Sequence, residues 1–320
     1  MRQKSLFMIL AVLFAVPRPS AEPVQTDLGE IAFRQALRDM GTDLRLMCVA
    51  AHPDDEDGAT LAMYRMRHGL KTYAVIATRG EGGQNEIGPE LYEELAVIRT
   101  REMLAASRIT GAETRFLDLP EFGFSKSKEE TFAIWGHDEA LRRMVRVIRE
   151  IRPDVIITNH GTMNDHGHHQ AIGQIVLEAF DAAADPAQFP ELGIESWQAA
   201  RLYQREWQES AKSLRVDIGM VDKWRGKSYA EIAAEALTVH RSQGMGFFIE
   251  RYLRGDAAVH YILAREAPQT KVTDTPAPAG VLLEGLFDRV SAEYRDLSKS
   301  EAPRVELKAT LAKRLSAMAG

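Results

Sequence analysis

The sequence predicts an α/β fold: a Rossmann-like, doubly wound and mostly parallel sheet with helices on both faces, followed by a short helical C-terminal tail. Three observations predict it. Short apolar runs alternate along the chain with amphipathic stretches of helical period. Two of these runs, within 44–50 and 154–158, are almost continuously apolar, as strands buried on both faces must be. Each of the two leads directly into a polar cluster, and in an open α/β sheet ligands bind beyond the carboxyl ends of the strands.

Taken in order, the chain begins with Arg2 and Lys4, then an apolar run from Leu6 to Val16, then Pro17-Arg-Pro-Ser-Ala21. A basic flank, a run too short to span a bilayer and a small residue at its exit describe a secretory signal peptide over 1–21, although Pro19 departs from the small residue usual at the third position before the cut. The expected location is therefore periplasmic or extracellular. A main domain over 22–265 follows. Its opening helical stretch is Asp27 to Met40, and strands are predicted at 44–51, 72–78, 114–118 and 153–158. Amphipathic stretches lie between them at 57–68, 91–109 and 138–151, with Ala96, Met103 and Ala106, then Leu141, Met144 and Ile148, as apolar faces. A helix is expected at 168–182. Strand-like runs recur near 200–206, 213–219 and 258–264, with helical stretches at 227–241 and 247–254. A linker rich in Pro, Ala and Thr is placed at 266–280, and the tail at 281–320 carries Leu283, Leu286, Phe287 and Val290 on one helical face.

At 320 residues and 45% apolar, the chain can bury a large core. A formal charge of -6, with both signs interspersed and no long basic stripe, argues against a nucleic-acid surface. No apolar span is long enough for a transmembrane helix. The single cysteine, Cys48, lies mid-strand as a small buried hydrophobe, so export rests on the leader alone.

The chemistry is concentrated in the two polar clusters. The first is Ala51-His52-Pro53-Asp54-Asp55-Glu56-Asp57-Gly58. The second, 160–169, holds four of the nine histidines: His160, His166, His168 and His169. Unpaired buried charge is too costly to keep, so such clusters coordinate metals or share protons. If the strand order begins 3-2-1-4, the first and fourth strands flank the crevice and bring the clusters together. Two imidazoles and one carboxylate with a fourth position for water form a catalytic zinc set. His52 and Asp55, three apart on a tight turn, can converge on one ion, and a histidine of the second cluster completes the set. Asp54 is then adjacent as a base for the attacking water, and a second, metal-free histidine is available for an oxyanion or a leaving amine. The same ligand count describes a non-haem iron oxygenase, but those sites usually sit on all-β barrels. No Gly-x-Gly-x-x-Gly follows the first strand, which argues against a dinucleotide site. Gly80-Glu81-Gly82-Gly83 fits no phosphate loop and is read as a turn or a close backbone approach.

Ala51-His-Pro-Asp-Asp-Glu56 resembles the signature of the PIG-L/LmbE-like zinc de-N-acetylases, which remove acetyl groups from N-acetylglucosamine units. The resemblance extends over roughly 44–265 through Thr78-Arg-Gly-Glu-Gly-Gly83, Arg99-Thr-Arg-Glu102, His166-Gly-His168-His169 and His240-Arg-Ser-Gln243. It implies that His52, Asp55 and His169 hold one zinc ion per chain, that Asp54 is the general base, and that His166 stabilises the oxyanion and protonates the amine. It also points to Arg99 and Gln243 as substrate contacts, with a buried ion pair to Glu102 as the other use of Arg99. Family members often have Pro-Asp where this chain has Gly167-His168, so the carboxylate that would orient the first histidine is missing, and Asp165 is the nearest replacement. Exchange of roles among His166, His168 and His169 is the main alternative. His160 is expected to be structural or an outer partner, and His68, His137 and His260 ordinary. The implied substrate is a small molecule or glycan bearing an N-acetylated amino sugar. A zinc hydrolase of another amide or ester, or a silent carbohydrate-binding relative, are the alternatives. Intact Asp54 and His166 argue against silence.

Overall fold

The computed structural model describes residues 27–161, 166–245 and 257–268, with the short pieces 249, 281–283 and 286. The predicted leader, most of the linker and tail, most of the 247–254 stretch and Asp165 lie outside the described residues.

The elements run α1 (Gly29–Asp39), β1 (Arg45–Ala50), α2 (Gly58–His68), β2 (Lys71–Ile76), α3 (Glu93–Thr110), β3 (Glu113–Phe116), α4 (Lys128–Trp135), α5 (His137–Ile151), β4 (Val155–Thr158), α6 (Gly167–Ala182), β5 (Arg201–Glu206), β6 (Leu214–Asp217), β7 (Val221–Asp222), β8 (Lys227–Ser228), α7 (Tyr229–Thr238) and β9 (Ala258–Glu266). The main sheet has seven strands in the order β3-β2-β1-β4-β5-β9-β6. β3 through β5 are parallel, and β9 runs antiparallel to both β5 and β6. The fold is the mostly parallel α/β sheet that the sequence predicts. α4 and the two-residue pair β7–β8 are additions to that reading.

β1 shows why this sequence makes a central strand. Successive side chains point to opposite faces, and both faces are covered. Leu46, Cys48 and Ala50 pack with α2, α3 and α7, whereas Met47, Val49 and Ala51 pack with α4, α5 and α6. Cys48 lies opposite Ala74 of β2 and Ile157 of β4. Three leucines of the predicted tail, Leu282, Leu283 and Leu286, are buried in the first of these layers, and the Leu282 amide donates to the Tyr64 hydroxyl.

The crevice follows from the connections. β1 leads to α2 on one face, β4 leads to α6 on the other, and β1 and β4 are neighbours. Their exits therefore diverge and leave a cleft at the point where strand order reverses. Asp57 anchors one wall. Its buried carboxylate caps α2 by accepting from the Thr60 amide at 2.9 Å, and it also accepts from Arg205 of β5 at 2.8 Å and from the Tyr261 hydroxyl of β9. Such a charge is tolerable in the core because both carboxylate oxygens find donors, one of them a guanidinium.

Candidate active site

His52 to Asp55 form a tight turn at the exit of β1. The Asp55 amide donates to the His52 carbonyl at 3.3 Å, and the His52 amide donates back to Asp55 Oδ2 at 2.9 Å. Asp54 between them takes φ +94°, a region that costs a non-glycine residue about 1–3 kcal/mol and is kept where surroundings enforce it. Two contacts enforce it here. Asn159, just after β4, donates to the Asp55 carbonyl at 2.7 Å, and Gln243 donates to the Pro53 carbonyl at 2.6 Å.

The turn presents His52 and Asp55 to the start of α6. His166 occupies the N-cap of that helix, where its Nδ1 accepts the His168 amide at 3.1 Å, and His169 stands on the first turn. His52 Nδ1 lies 2.9 Å from Asp55 Oδ2, His169 Nε2 lies 3.3 Å from the same oxygen, and the two ring nitrogens are 3.3 Å apart. Around a zinc ion with bonds near 2.1 Å, the edges of a tetrahedron are about 3.4 Å. The donor types and spacing of these three residues fit such an ion. A second trio, His52, His166 and His168, also brings three potential ligand atoms together. It contains no carboxylate of its own.

The electrostatics separate the two adjacent aspartates. Burial, with the Asp55 charge beside it, pushes the Asp54 carboxyl well above the usual range. Burial also acts to raise Asp55, but His169, His52 and His160 outweigh it and hold that carboxyl well below its usual value. For His52 burial would lower the ring, yet hydrogen bonds to Asp55 and Glu121 push it up to about 10. Burial and the neighbouring His52, His168 and His169 bring His166 down to about 4, so the ring is neutral with its proton on Nε2. The exposed ring of Phe124 packs edge-on against it at 5.0 Å.

His160 accepts the Ala51 amide at 2.9 Å through Nε2 and stacks on His169 at 4.3 Å. His168 is fully buried, with Nδ1 3.3 Å from Glu121 Oε2. Nothing in the sequence singles out Glu121. It follows β3 in an ordinary Leu-Pro-Glu loop, and only the approach of that loop to the β2 exit brings it to the site. Gly82 permits this approach, because a Cβ there would stand 2.8 Å from the Gly123 nitrogen and 3.0 Å from the Glu121 carbonyl. Glu81 fastens the two loops by accepting from the Glu121 amide at 3.2 Å.

The structure places Arg99 differently from its reading as a substrate contact. Its side chain is buried under the 80–84 loop and donates to the carbonyls of Gly80 and Gln84 and to the Ser242 hydroxyl. Ser242 in turn donates to Glu102 at 2.6 Å and stands between the two charges. Gln243 reaches the His52–Asp55 turn, as described. His240 is buried 3.9 Å from Glu56, and burial lowers its ring to about 4.

Comparison with known proteins agrees with this architecture. The family model described as PIG-L, GlcNAc-PI de-N-acetylase, matches residues 47–180. A 1D-myo-inositol 2-acetamido-2-deoxy-alpha-D-glucopyranoside deacetylase 1 from Frankia alni is 30% identical over 278 residues, covering 68% of this chain and 93% of the relative. A deacetylase described in the same words from Geodermatophilus obscurus is 36% identical over 180 residues, or 50% of this chain, and the chain spans 60% of that relative's length. Among solved structures, the N,N'-diacetylchitobiose deacetylase of Pyrococcus horikoshii superposes with a TM-score of 0.52 at 19% identity, covering 79% of this chain and 97% of that one. At that identity the likeness speaks to the fold alone.

Proposed function

The chain belongs to the PIG-L family of de-N-acetylases, and from that premise we propose that it is a zinc-dependent hydrolase removing the acetyl group from an N-acetylglucosamine-type amino sugar or its glycoconjugate. The observation that carries this reading is the convergence of His52 Nδ1, Asp55 Oδ2 and His169 Nε2 within 2.9–3.3 Å, with a strained and protonatable Asp54 beside them. Relatives described as deacetylases of a 2-acetamido-2-deoxy-glucopyranoside supply the substrate class.

His52, Asp55 and His169 would hold the ion. When bound, it polarises the amide carbonyl and makes water a stronger nucleophile near neutral pH. Asp54 takes the proton of the attacking water as the new carbon–oxygen bond forms, and its raised pKa suits it to return that proton to the amine as the carbon–nitrogen bond breaks. His166 accepts the His168 amide through Nδ1, so its Nε2 proton is available as a hydrogen bond to the developing oxyanion. Acetate and the free amino sugar are the products.

The test is acetate release from N-acetylglucosamine conjugates by the zinc-loaded protein, repeated after chelation and after re-addition of zinc. Release that stops with chelator and returns with zinc supports the reading. A zinc-loaded protein that releases no acetate from any such conjugate, or releases it equally well with chelator, sinks it.

The leader pattern over 1–21 supports export to the periplasm or beyond. Among the described residues no helix is long and apolar enough to cross a membrane. Mass spectrometry of the protein from its native host should find a chain starting beyond Ala21, and a mature chain that retains Met1 removes the proposal.

A further inference from the structure

His52 has two ring nitrogens, and both face a carboxylate. Nδ1 points to the corner shared with Asp55 and His169, whereas Nε2 lies 3.1 Å from Oε2 of Glu121. The Glu121 side chain is only 3% exposed. A carboxylate this deep is retained only where donors surround it. Thr78 donates its hydroxyl to Oε2 at 3.1 Å, and the Gly123 amide donates to Oε1 at 2.8 Å. His168 brings Nδ1 to 3.3 Å from Oε2, while its own backbone amide donates to His166.

We propose that Glu121 is the positioning residue of the metal centre: it accepts the Nε2 proton of His52, so that the Nδ1 lone pair faces the ion, and it holds His168 as a second anchor. The proposal rests on the zinc reading above. A ligating histidine whose other nitrogen donates to a carboxylate is fixed in tautomer and ring angle and becomes a more basic ligand. Glu121 also reaches the second cluster, because the ring it fixes belongs to the residue whose amide His166 accepts.

The test is zinc affinity of the full chain, measured against a competing chelator, for wild type, E121Q and E121A, with the thermal midpoint of each zinc-free form. Gln at this position keeps the shape and an acceptor but removes the charge. E121A should bind zinc 10–100-fold more weakly, the usual cost of losing such a partner, and E121Q should fall between it and wild type. All three should bind one ion, and the zinc-free E121Q should melt with wild type. The absorption of the cobalt-substituted protein should change in both variants, which a purely structural role would not produce. Equal zinc affinity in wild type and E121A overturns the proposal while leaving the zinc reading intact. Two ions in wild type with one lost in E121A also overturn it, because Glu121 is then a ligand. A wild-type chain that binds no zinc overturns both.

Discussion

Gln243 donates its side-chain amide to the carbonyl of Pro53 at 2.6 Å, across 190 positions of sequence. The last shared motif of the chain thereby holds the first, because Pro53 lies inside the turn that carries His52, Asp54 and Asp55. A single neutral hydrogen bond contributes about 0.5–1.5 kcal/mol net, so Gln243→Ala should lower turnover by up to roughly tenfold. The split between constants is informative. A turn support lowers kcat with KM little changed, whereas loss of a substrate contact raises KM at constant kcat. Steady-state kinetics showing only a raised KM would return Gln243 to the substrate-contact role expected from the sequence.

The choice of ligand histidine gives a second prediction. His169→Ala should lose most of the zinc, since it leaves only two ligands in a site that has three. His168→Ala should keep the ion with reduced affinity, because its Nδ1 touches Glu121 rather than Asp55. Metal analysis of the two purified variants checks this, and full occupancy in His169→Ala would show that the other trio, His52, His166 and His168, is the true site.

Much of this arrangement is legible in the sequence, for physical reasons. Strands such as β1 and β4 are buried on both faces and leave unbroken apolar runs, and their exits are marked by charges that have no packing role. α4 is not legible because only Thr131 and Trp135 of its eight residues are buried, too few for an apolar stripe. β7 and β8 are two residues each and carry no period. Glu121 has no motif spacing to the histidines it contacts, being brought to them by the packing of Gly82 on the Gly123 turn. Arg99 reads as an available cation because sequence does not show the glycine loop that closes over it.

Acid stability gives a third prediction, independent of catalysis. The ring of His68 stacks on Tyr64 at 5.2 Å, and burial with Arg67 nearby lowers it to about 4. The unfolded chain has an ordinary histidine there, near 6.5. Between these values the unfolded state binds a proton that the native state does not, so stability falls as pH drops from about 6.5 to about 4 and the contribution is flat below that. His68→Phe keeps the stack and removes the titration, so its loss of stability over this window should be smaller by roughly 2 kcal/mol. Denaturant melts of both proteins at pH 6.5 and 4.5 check it, and subtraction cancels the contribution of bound metal. Parallel curves would show that His68 titrates normally in the native state.

The last prediction separates base from ligand at Asp54 and Asp55. Asp55 Oδ2 is the oxygen that faces both His52 Nδ1 and His169 Nε2, so Asp55→Asn removes the anionic ligand and should leave the protein largely zinc-free. Asp54 sits one residue earlier at φ +94°, and burial and the Asp55 charge raise its carboxyl, the direction that helps it return a proton it has taken. Asp54→Asn should therefore retain zinc and lose about a hundredfold or more in turnover. His166→Ala should also retain zinc and lose rate through its missing oxyanion donor, by about a hundredfold. Both groups serve one transition state, so the double variant should lose less than the product of the two single losses. Zinc content and acetate release measured side by side on the four variants decide the matter. A zinc-free Asp54→Asn together with an active, zinc-loaded Asp55→Asn would reverse the roles of the pair.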